Sequence, residues 1–413
     1  MEEANDIQLM RRAVVIARSG EGFVEPNPMV GCVLAKDGQI ISEGFHRKFG
    51  GDHAEIEALN TAGKKADGAT CYVTLEPCSH HGKTPPCTDA LINAGVKQVV
   101  IGMRDPNPVV HGRGIAKLQQ AGIKIIEGIL ENEVLELNAP YLTLFQKNRP
   151  FITAKWAMTL DGRLASWTGS SHWISGEASR QAVHRLRGRM DAIMIGTHTA
   201  VRDDALLTVR LETQPVDDVP HRRITDPTAP KVPLRVVLDS FADVSLESRL
   251  VQTAKEIPVL IVSSPDAPAE KVAAMEKAGC EILRLPQRVP KINPQYNRKR
   301  DFRREQGTRE IPPEQSAVAA VHRERTVMLM EHLAKRQITN LLVEGGSEVF
   351  GTLFDMQYID EVHVFIAPKL IGGEAAVPAV AGAGLPEMEF AKRLDNPKIE
   401  IIEQDVYVHG RLR

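Results

Sequence analysis

Between residues 53 and 87 the chain gathers side chains suited to holding a metal. His53-Ala54-Glu55 opens an expected helix, and Glu76-Pro77-Cys78 follows an expected strand. Eight residues then separate Cys78 from Cys87. One imidazole and two thiolates match a tetrahedral zinc set, and three protein ligands leave the fourth position to water, as in catalytic sites. Zinc held this way lowers the pKa of that water toward ~7. Glu55 lies two residues past His53 in the first helical turn, near the open position without being a ligand. It can take a proton from the water and return it to a departing amine. His80 and His81 sit in a Gly/Pro-rich loop that suits substrate contact, whereas Cys32, Cys71 and Cys280 lie in apolar runs and are expected in the core.

The elements that must position these groups read as alternating helix and strand. Helical spacing covers 6–19, a helix at 52–62 stops at Gly63, and strands at 30–35 and 39–44 are joined by an Asp-Gly hairpin signal. Strand 71–75, helix 86–94, strand 99–102, helix 114–121, strand 123–127 and a helix over 131–147 complete a first unit. Asn148-Arg149-Pro150 marks a boundary, since the residue before proline disfavours helix. Alternation then restarts, with strands at 151–156, 192–195, 234–239, 258–262, 281–285, 340–343 and 361–367 and helices at 177–186 and 347–354 among them. Such alternation predicts α/β sheets carrying helices on their faces.

At 413 residues the chain exceeds one ordinary core, and about 150 residues per domain suggests two or three domains. It is 43% hydrophobic and 25% charged, with a formal charge of -2. That balance argues against a dedicated nucleic-acid or membrane-surface protein. No apolar run reaches the ~18 residues needed to span a bilayer, and the start lacks a signal-peptide pattern, so a cytoplasmic location with reduced thiols is expected.

The second half holds no G-x-G-x-x-G at a first strand–helix turn. Val343-Glu344-Gly345-Gly346-Ser347 instead ends a strand and opens a helix, where backbone N–H groups and the helix N-terminus favour a phosphate. Two stretches read as insertions, 211–232 with four prolines and 287–310 with eight basic residues against three acidic ones. The second is read as a solvated loop rather than an RNA contact, given the near-neutral whole.

The H-x-E…P-C pattern is that of zinc nucleobase deaminases, although eight residues rather than two separate the cysteines here. The full run from Thr74 through Cys87, with His53-Ala54-Glu55, Pro26-Asn27-Pro28-Met29-Val30-Gly31 and Arg104-Asp105-Pro106-Asn107-Pro108, resembles the deaminase half of the bifunctional riboflavin-biosynthesis deaminase/reductase family, the RibD type. Lys155-Trp156-Ala157-Met158-Thr159-Leu160-Asp161-Gly162-Arg163, Trp173-Ile174-Ser175, the run from Asp203 to Arg210 and Val343-Glu344-Gly345-Gly346 are similar to its reductase half. The resemblance covers nearly the whole chain outside the insertions. It departs at Ala205, where the family usually carries proline, and at the long insertion from Gln287.

The resemblance implies a cytidine-deaminase-like three-layer domain over 1–147 and a dihydrofolate-reductase-like α/β domain over 148–413. It implies zinc on His53, Cys78 and Cys87 with Glu55 as the proton carrier, and NADPH as second cofactor. The nicotinamide cofactor is expected at Ala157, Trp173, Thr199, Asp203, Ser240 and the run Gly346, Ser347, Glu348, Val349, Phe350, Gly351 and Thr352. The substrate, a pyrimidine ribosylamine phosphate, is expected at Ser171, Arg187, Leu207, Arg210 and Glu344, and paired arginines suit a sugar phosphate. No general acid stands out in the second half. No nucleic-acid or membrane partner is expected, and a homo-oligomer, dimer or tetramer, is. The rival readings are a nucleic-acid or nucleoside deaminase with a non-catalytic binding domain, and a zinc-stabilised interaction protein. Salt-dependent RNA binding without NADPH consumption marks the first, and an intact Glu55 speaks against the second.

Overall fold

The computed structural model describes residues 2–79, 85–107, 111–171, 174–210, 232–286 and 313–413. The chain divides into two compact units, one reaching to Phe151 and including Ala334–Asn340, the other holding the remaining described residues.

In the first unit, strands β1 (Gly31–Lys36), β2 (Gln39–Phe45), β3 (Thr70–Leu75), β4 (Gln98–Met103) and β5 (Lys124–Glu127) form a sheet in the order β2-β1-β3-β4-β5. β1 runs antiparallel to both neighbours, and β3, β4 and β5 are parallel. Side chains alternate across a strand, and both faces of this sheet are apolar. Cys32, Leu34, Cys71, Val73, Val99 and Ile101 pack with Ala54, Ala58, Leu91, Ile115 and Leu118 from helices α2 (Ala54–Ala62), α3 (Cys87–Asn93) and α4 (Arg113–Gln120). Val33, Ala35, Tyr72 and Val100 point the other way onto Leu9, Met10 and Ala13 of α1 (Glu2–Ala17). Three layers follow directly from this two-sided pattern. The expected single helix over 131–147 is two, α5 (Glu131–Leu137) and α6 (Ala139–Lys147). The break falls at Asn138, whose side chain bonds the backbone N–H and C=O of Met29, and Pro140 sits in the first turn of α6.

The second unit is built on a nine-stranded sheet. Its strands are β6 (Phe151–Thr159), β8 (Ala192–Gly196), β9 (Leu234–Leu238), β10 (Val259–Ser263), β11 (Glu281–Arg284), β12 (Asn340–Val343), β13 (Glu361–Ala367), β15 (Leu394–Ile402) and β16 (Asp405–Leu412), in the order β11-β10-β9-β8-β12-β6-β13-β16-β15. A separate short pair joins β7 (Arg163–Ala165) to β14 (Val377–Pro378). From β11 to β8 the neighbours are parallel, as are β8 with β12 and β6 with β13, while β16 and β15 add an antiparallel edge. Helices α7 (Glu177–Arg187), α8 (Thr197–Asp203), α9 (Arg249–Gln252), α10 (Ala269–Ala278), α11 (Pro313–Lys335) and α12 (Ser347–Asp355) complete the unit. Ile193, Ile195, Val237, Val259, Ile261 and Leu342 form one core with Leu186, Leu250, Val272 and Met275. Among the described residues no helix is long and apolar enough to cross a membrane.

Candidate functional site

The expected metal ligands are placed by helix ends and strand ends. His53 is the residue before α2, in extended conformation. Gly44 lets that helix lie against β2, because a Cβ there would meet the Ala54 carbonyl oxygen at 2.4 Å. Cys78 follows β3, and Cys87 opens α3 with its backbone N–H directed at the Cys78 sulfur, 3.3 Å away. Glu76, two residues before Cys78, ties the end of β3 to the start of α4: it is a buried carboxylate that accepts from the N–H groups of Gly112 and Gly114 at 3.0 Å each. A Cβ on Gly114 would lie 2.1 Å from the Pro77 oxygen, so glycine alone permits this approach.

His53 Nδ1 lies 3.2 Å from Cys87 Sγ and 3.6 Å from Cys78 Sγ. Tetrahedral bonds of zinc to nitrogen and sulfur place those atoms about 3.5 Å apart, so the three residues fit the ion as they stand. Hydrogen bonding from Cys87, reinforced by His53, holds the Cys78 thiol down to about 4, so Cys78 is a thiolate, the ligand form, at neutral pH. The same bond to Cys78 raises His53 to about 9, and Cys87, as the donor in the pair, is pushed up. Glu55 is 3% exposed. Burial raises its pKa against the pull of His53, and it contacts the Cys87 thiol. Beside them Asn27 donates to His46 Nε2 at 3.1 Å, His46 Nδ1 donates to the Asp52 carbonyl at 2.9 Å, and the His46 and His53 rings meet edge to face at 5.5 Å. Cys32, Cys71 and Cys280 are buried, as expected. His80 and His81 lie outside the described residues.

In the second unit the connections of β8 and β12, neighbours in the sheet, leave in opposite directions: β8 leads to β9 and β12 leads to β13 across β6. A parallel sheet opens a ligand crevice at the carboxyl ends of such strands. Helices α8 and α12 start side by side there, on Gly196 and Gly346, with no side chain capping either helix. Gly196 N–H bonds the Gly345 oxygen at 3.1 Å, and a Cβ built on Gly345 would lie 3.2 Å from Thr199 Oγ1. Among the described residues Ser347 Oγ, buried at the α12 start, has no hydrogen-bond partner. Thr199 and the Gly346–Ser347 turn therefore adjoin one anion-ready opening. Asp203 ends α8, Ser240 follows β9, and Glu348, Val349, Phe350, Gly351 and Thr352 continue α12, with the Phe350 ring 5.5 Å from that of Trp156 beside Ala157 on β6. Trp173 and, apart from Val232, the insertions at 211–232 and 287–310 lie outside the described residues.

The expected substrate residues converge on a buried carboxylate. Arg187 Nε and Nη2 donate to the two oxygens of Glu344 at 2.5 and 2.8 Å, and Arg187 Nη1 donates to the Thr208 carbonyl at 3.1 Å. Arg210 Nη1 reaches Thr208 Oγ1 at 3.1 Å, and its backbone N–H donates to His184 Nδ1 at 3.2 Å. Leu207 is buried between them in sequence, in a loop that Arg235 anchors by donating to the Leu206 carbonyl at 3.2 Å. Ser171 closes the described part of a separate loop. Burial works to raise Glu344, but the charge and hydrogen bonds of Arg187, with Lys155, bring it down to about 2. Lys155, named only within a motif, and His184 were not among the expected site residues. Lys155 Nζ stands 3.8 Å from Glu344 Oε2, and burial lowers its pKa. The available signal was a lysine in the otherwise apolar strand FITAKWAMT. His184 precedes Arg187 by three positions, hence on the same helix face, and burial with Arg187 and Arg210 holds it near 4.

Comparison with known proteins bears on both units. A model of the cytidine and deoxycytidylate deaminase zinc-binding region matches residues 3–103, and a model of the RibD C-terminal domain matches residues 150–408. The riboflavin biosynthesis protein RibD of Actinobacillus pleuropneumoniae is 37% identical over 401 residues, covering 97% of this chain and 94% of its own. That of Escherichia coli is 37% identical over 407 residues, 98% of each. The solved Acinetobacter baumannii RibD, form 2, superposes with a TM-score of 0.76 at 31% identity over 100% of both chains. A Thermotoga maritima diaminohydroxyphosphoribosylaminopyrimidine deaminase/5-amino-6-(5-phosphoribosylamino)uracil reductase gives 0.75 at 33% identity, again over 100% of both. A zinc-fitting triad beside a buried glutamate in one unit and a phosphate-ready sheet crevice in the other thus meet full-length likeness to proteins of one kind, and the chain belongs to the RibD family of bifunctional deaminase/reductases of riboflavin biosynthesis.

Proposed function

We propose that residues 1–147 deaminate 2,5-diamino-6-ribosylamino-4(3H)-pyrimidinone 5′-phosphate and that residues 148–413 reduce its ribosyl side chain, giving 5-amino-6-(5-phosphoribitylamino)uracil. The observation that carries the reading is the cluster of His53, Cys78 and Cys87 with Glu55 buried against it. Bound zinc supplies a water acidic enough to attack at neutral pH, and NADPH supplies hydride. His53, Cys78 and Cys87 hold the ion. The Glu55 carboxylate accepts the proton of the attacking water and delivers it to the amine nitrogen as ammonia departs, and burial that favours its protonated form suits it to both steps. Asn27 and His46 offer a polar wall for the pyrimidine.

In the reductase unit, Ala157, Trp173, Thr199, Asp203, Ser240 and 346–352 take the dinucleotide, while Ser171, Arg187, Leu207, Arg210 and Glu344 take the ribose phosphate. Lys155, with its pKa lowered by burial, is placed to donate a proton to the sugar as the hydride arrives at C1. The protein is read as cytoplasmic and as a homo-oligomer, which light scattering on purified protein checks.

The test follows ammonia release and NADPH oxidation separately. Wild type performs both, and Glu55→Ala loses ammonia release by about 10²–10⁴-fold yet still reduces the pre-deaminated intermediate. Ammonia without any NADPH oxidation by wild type overturns the reductase half.

A further inference from the structure

Arg325 stands in the middle of α11, half-buried, and its Nη1 donates to Ser240 Oγ at 2.7 Å. Ser240 follows the carboxyl end of β9, two strands from β12 in the sheet. Parallel strands lie about 4.8 Å apart, so the end of β9 is about 10 Å across the sheet from the α12 start.

A dinucleotide seated on that opening has only two ways to run. Toward β6 lies the buried group of Lys155, Glu344 and Arg187, which the hydride-bearing end must face to meet a substrate. The adenosine end therefore runs the other way, across the end of β8 toward β9. The ribose beyond the pyrophosphate arrives at Ser240, where α11 supplies a guanidinium. The planar fork of arginine matches a phosphate monoester, and the Ser240 bond orients it.

We propose that Arg325 holds the 2′-phosphate of NADPH and sets the preference of this chain for NADPH over NADH. This rests on the reading of the second unit as an NADPH-dependent reductase. The side chain lies outside every residue expected from the sequence, because only the packing of α11 brings it to the end of β9.

Nicotinamide fluorescence titration of the full-length protein with NADPH and with NADH, without substrate, measures both Kd values directly. Wild type binds NADPH more tightly, and adenosine 2′,5′-bisphosphate displaces it. Arg325→Ala weakens NADPH roughly 10-fold or more, the range for a charge-assisted hydrogen bond, and leaves NADH unchanged. Arg325→Lys, which keeps the charge and the helix, retains part of the preference. Equal losses for both dinucleotides in Arg325→Ala and in Arg325→Lys assign Arg325 a structural role and overturn the proposal, as does an unchanged NADPH affinity. A wild type that binds neither dinucleotide overturns the reductase reading itself, and the assignment with it.

Discussion

The two units solve the problem of placing chemistry in opposite ways. The first draws its metal triad from one short stretch, with His53 and Cys87 only 34 positions apart. The second draws the Arg187–Glu344 pair from positions 157 apart and completes it with Lys155 from β6 and with His184 from the same helix as Arg187. A metal demands particular ligand types at fixed distances, which compact local turns supply. A dinucleotide and a sugar phosphate demand backbone donors and forked cations, and a sheet gathers those from anywhere along its strands.

This contrast can be broken most severely at the metal. Cys87→Ala is expected to reduce zinc content from stoichiometric to trace and to abolish ammonia release, because the ion loses one of only three protein ligands. Metal analysis beside an NADPH titration checks this, and a parallel loss of NADPH binding would mean that the second unit depends on the first. The next largest effect falls on Glu344→Gln. Arg187 and Glu344 have side chains only 12% and 7% exposed, and removing one charge leaves the other buried without compensation. A loss of about 3 kcal/mol in the second unit's stability is expected, read from its urea midpoint, with the first unit's transition unmoved.

Acid sharpens the same difference. The folded pKa of Glu344, about 2, lies below its ordinary value. Its contribution is therefore fully present above about 4.3 and is lost as pH falls toward 2. His184, held near 4 by burial and its arginine neighbours, works in the same sense, since the unfolded chain binds its proton first. Stability of the second unit should fall as pH drops from about 6.5, and Glu344→Gln should flatten the part of that slope below about 4.3. The smallest effect is expected at Ser347, whose buried hydroxyl awaits a partner at the α12 start. Ser347→Ala should weaken NADPH binding only a few-fold, the size of one neutral hydrogen bond, by fluorescence titration.

These differences also decide what could be read before folding. Cys78, Cys87, His53 and Glu55 were legible because few structures other than a metal site use those types at that spacing. The apolar runs around Cys32 and Cys71 announced covered strands, and Gly345-Gly346 announced a helix opening suited to phosphate. The break at Asn138 was not legible, since its cause is a bond to Met29 more than a hundred positions away. Nor was the edge hairpin of β15 and β16, where exposed Ile399 and Ile401 carry no inward pattern.

By itself, then, the sequence pointed to the cluster of His53, Cys78 and Cys87 beside Glu55 and to the α/β character of both units, because residue type and local period carry that information directly. Only the tertiary structure decided that Lys155 and His184 join Glu344, that Glu76 ties the end of β3 to the start of α4, and that Arg325 reaches Ser240. Each of these is a contact between elements far apart in the chain, set by strand order and helix packing rather than by any local preference.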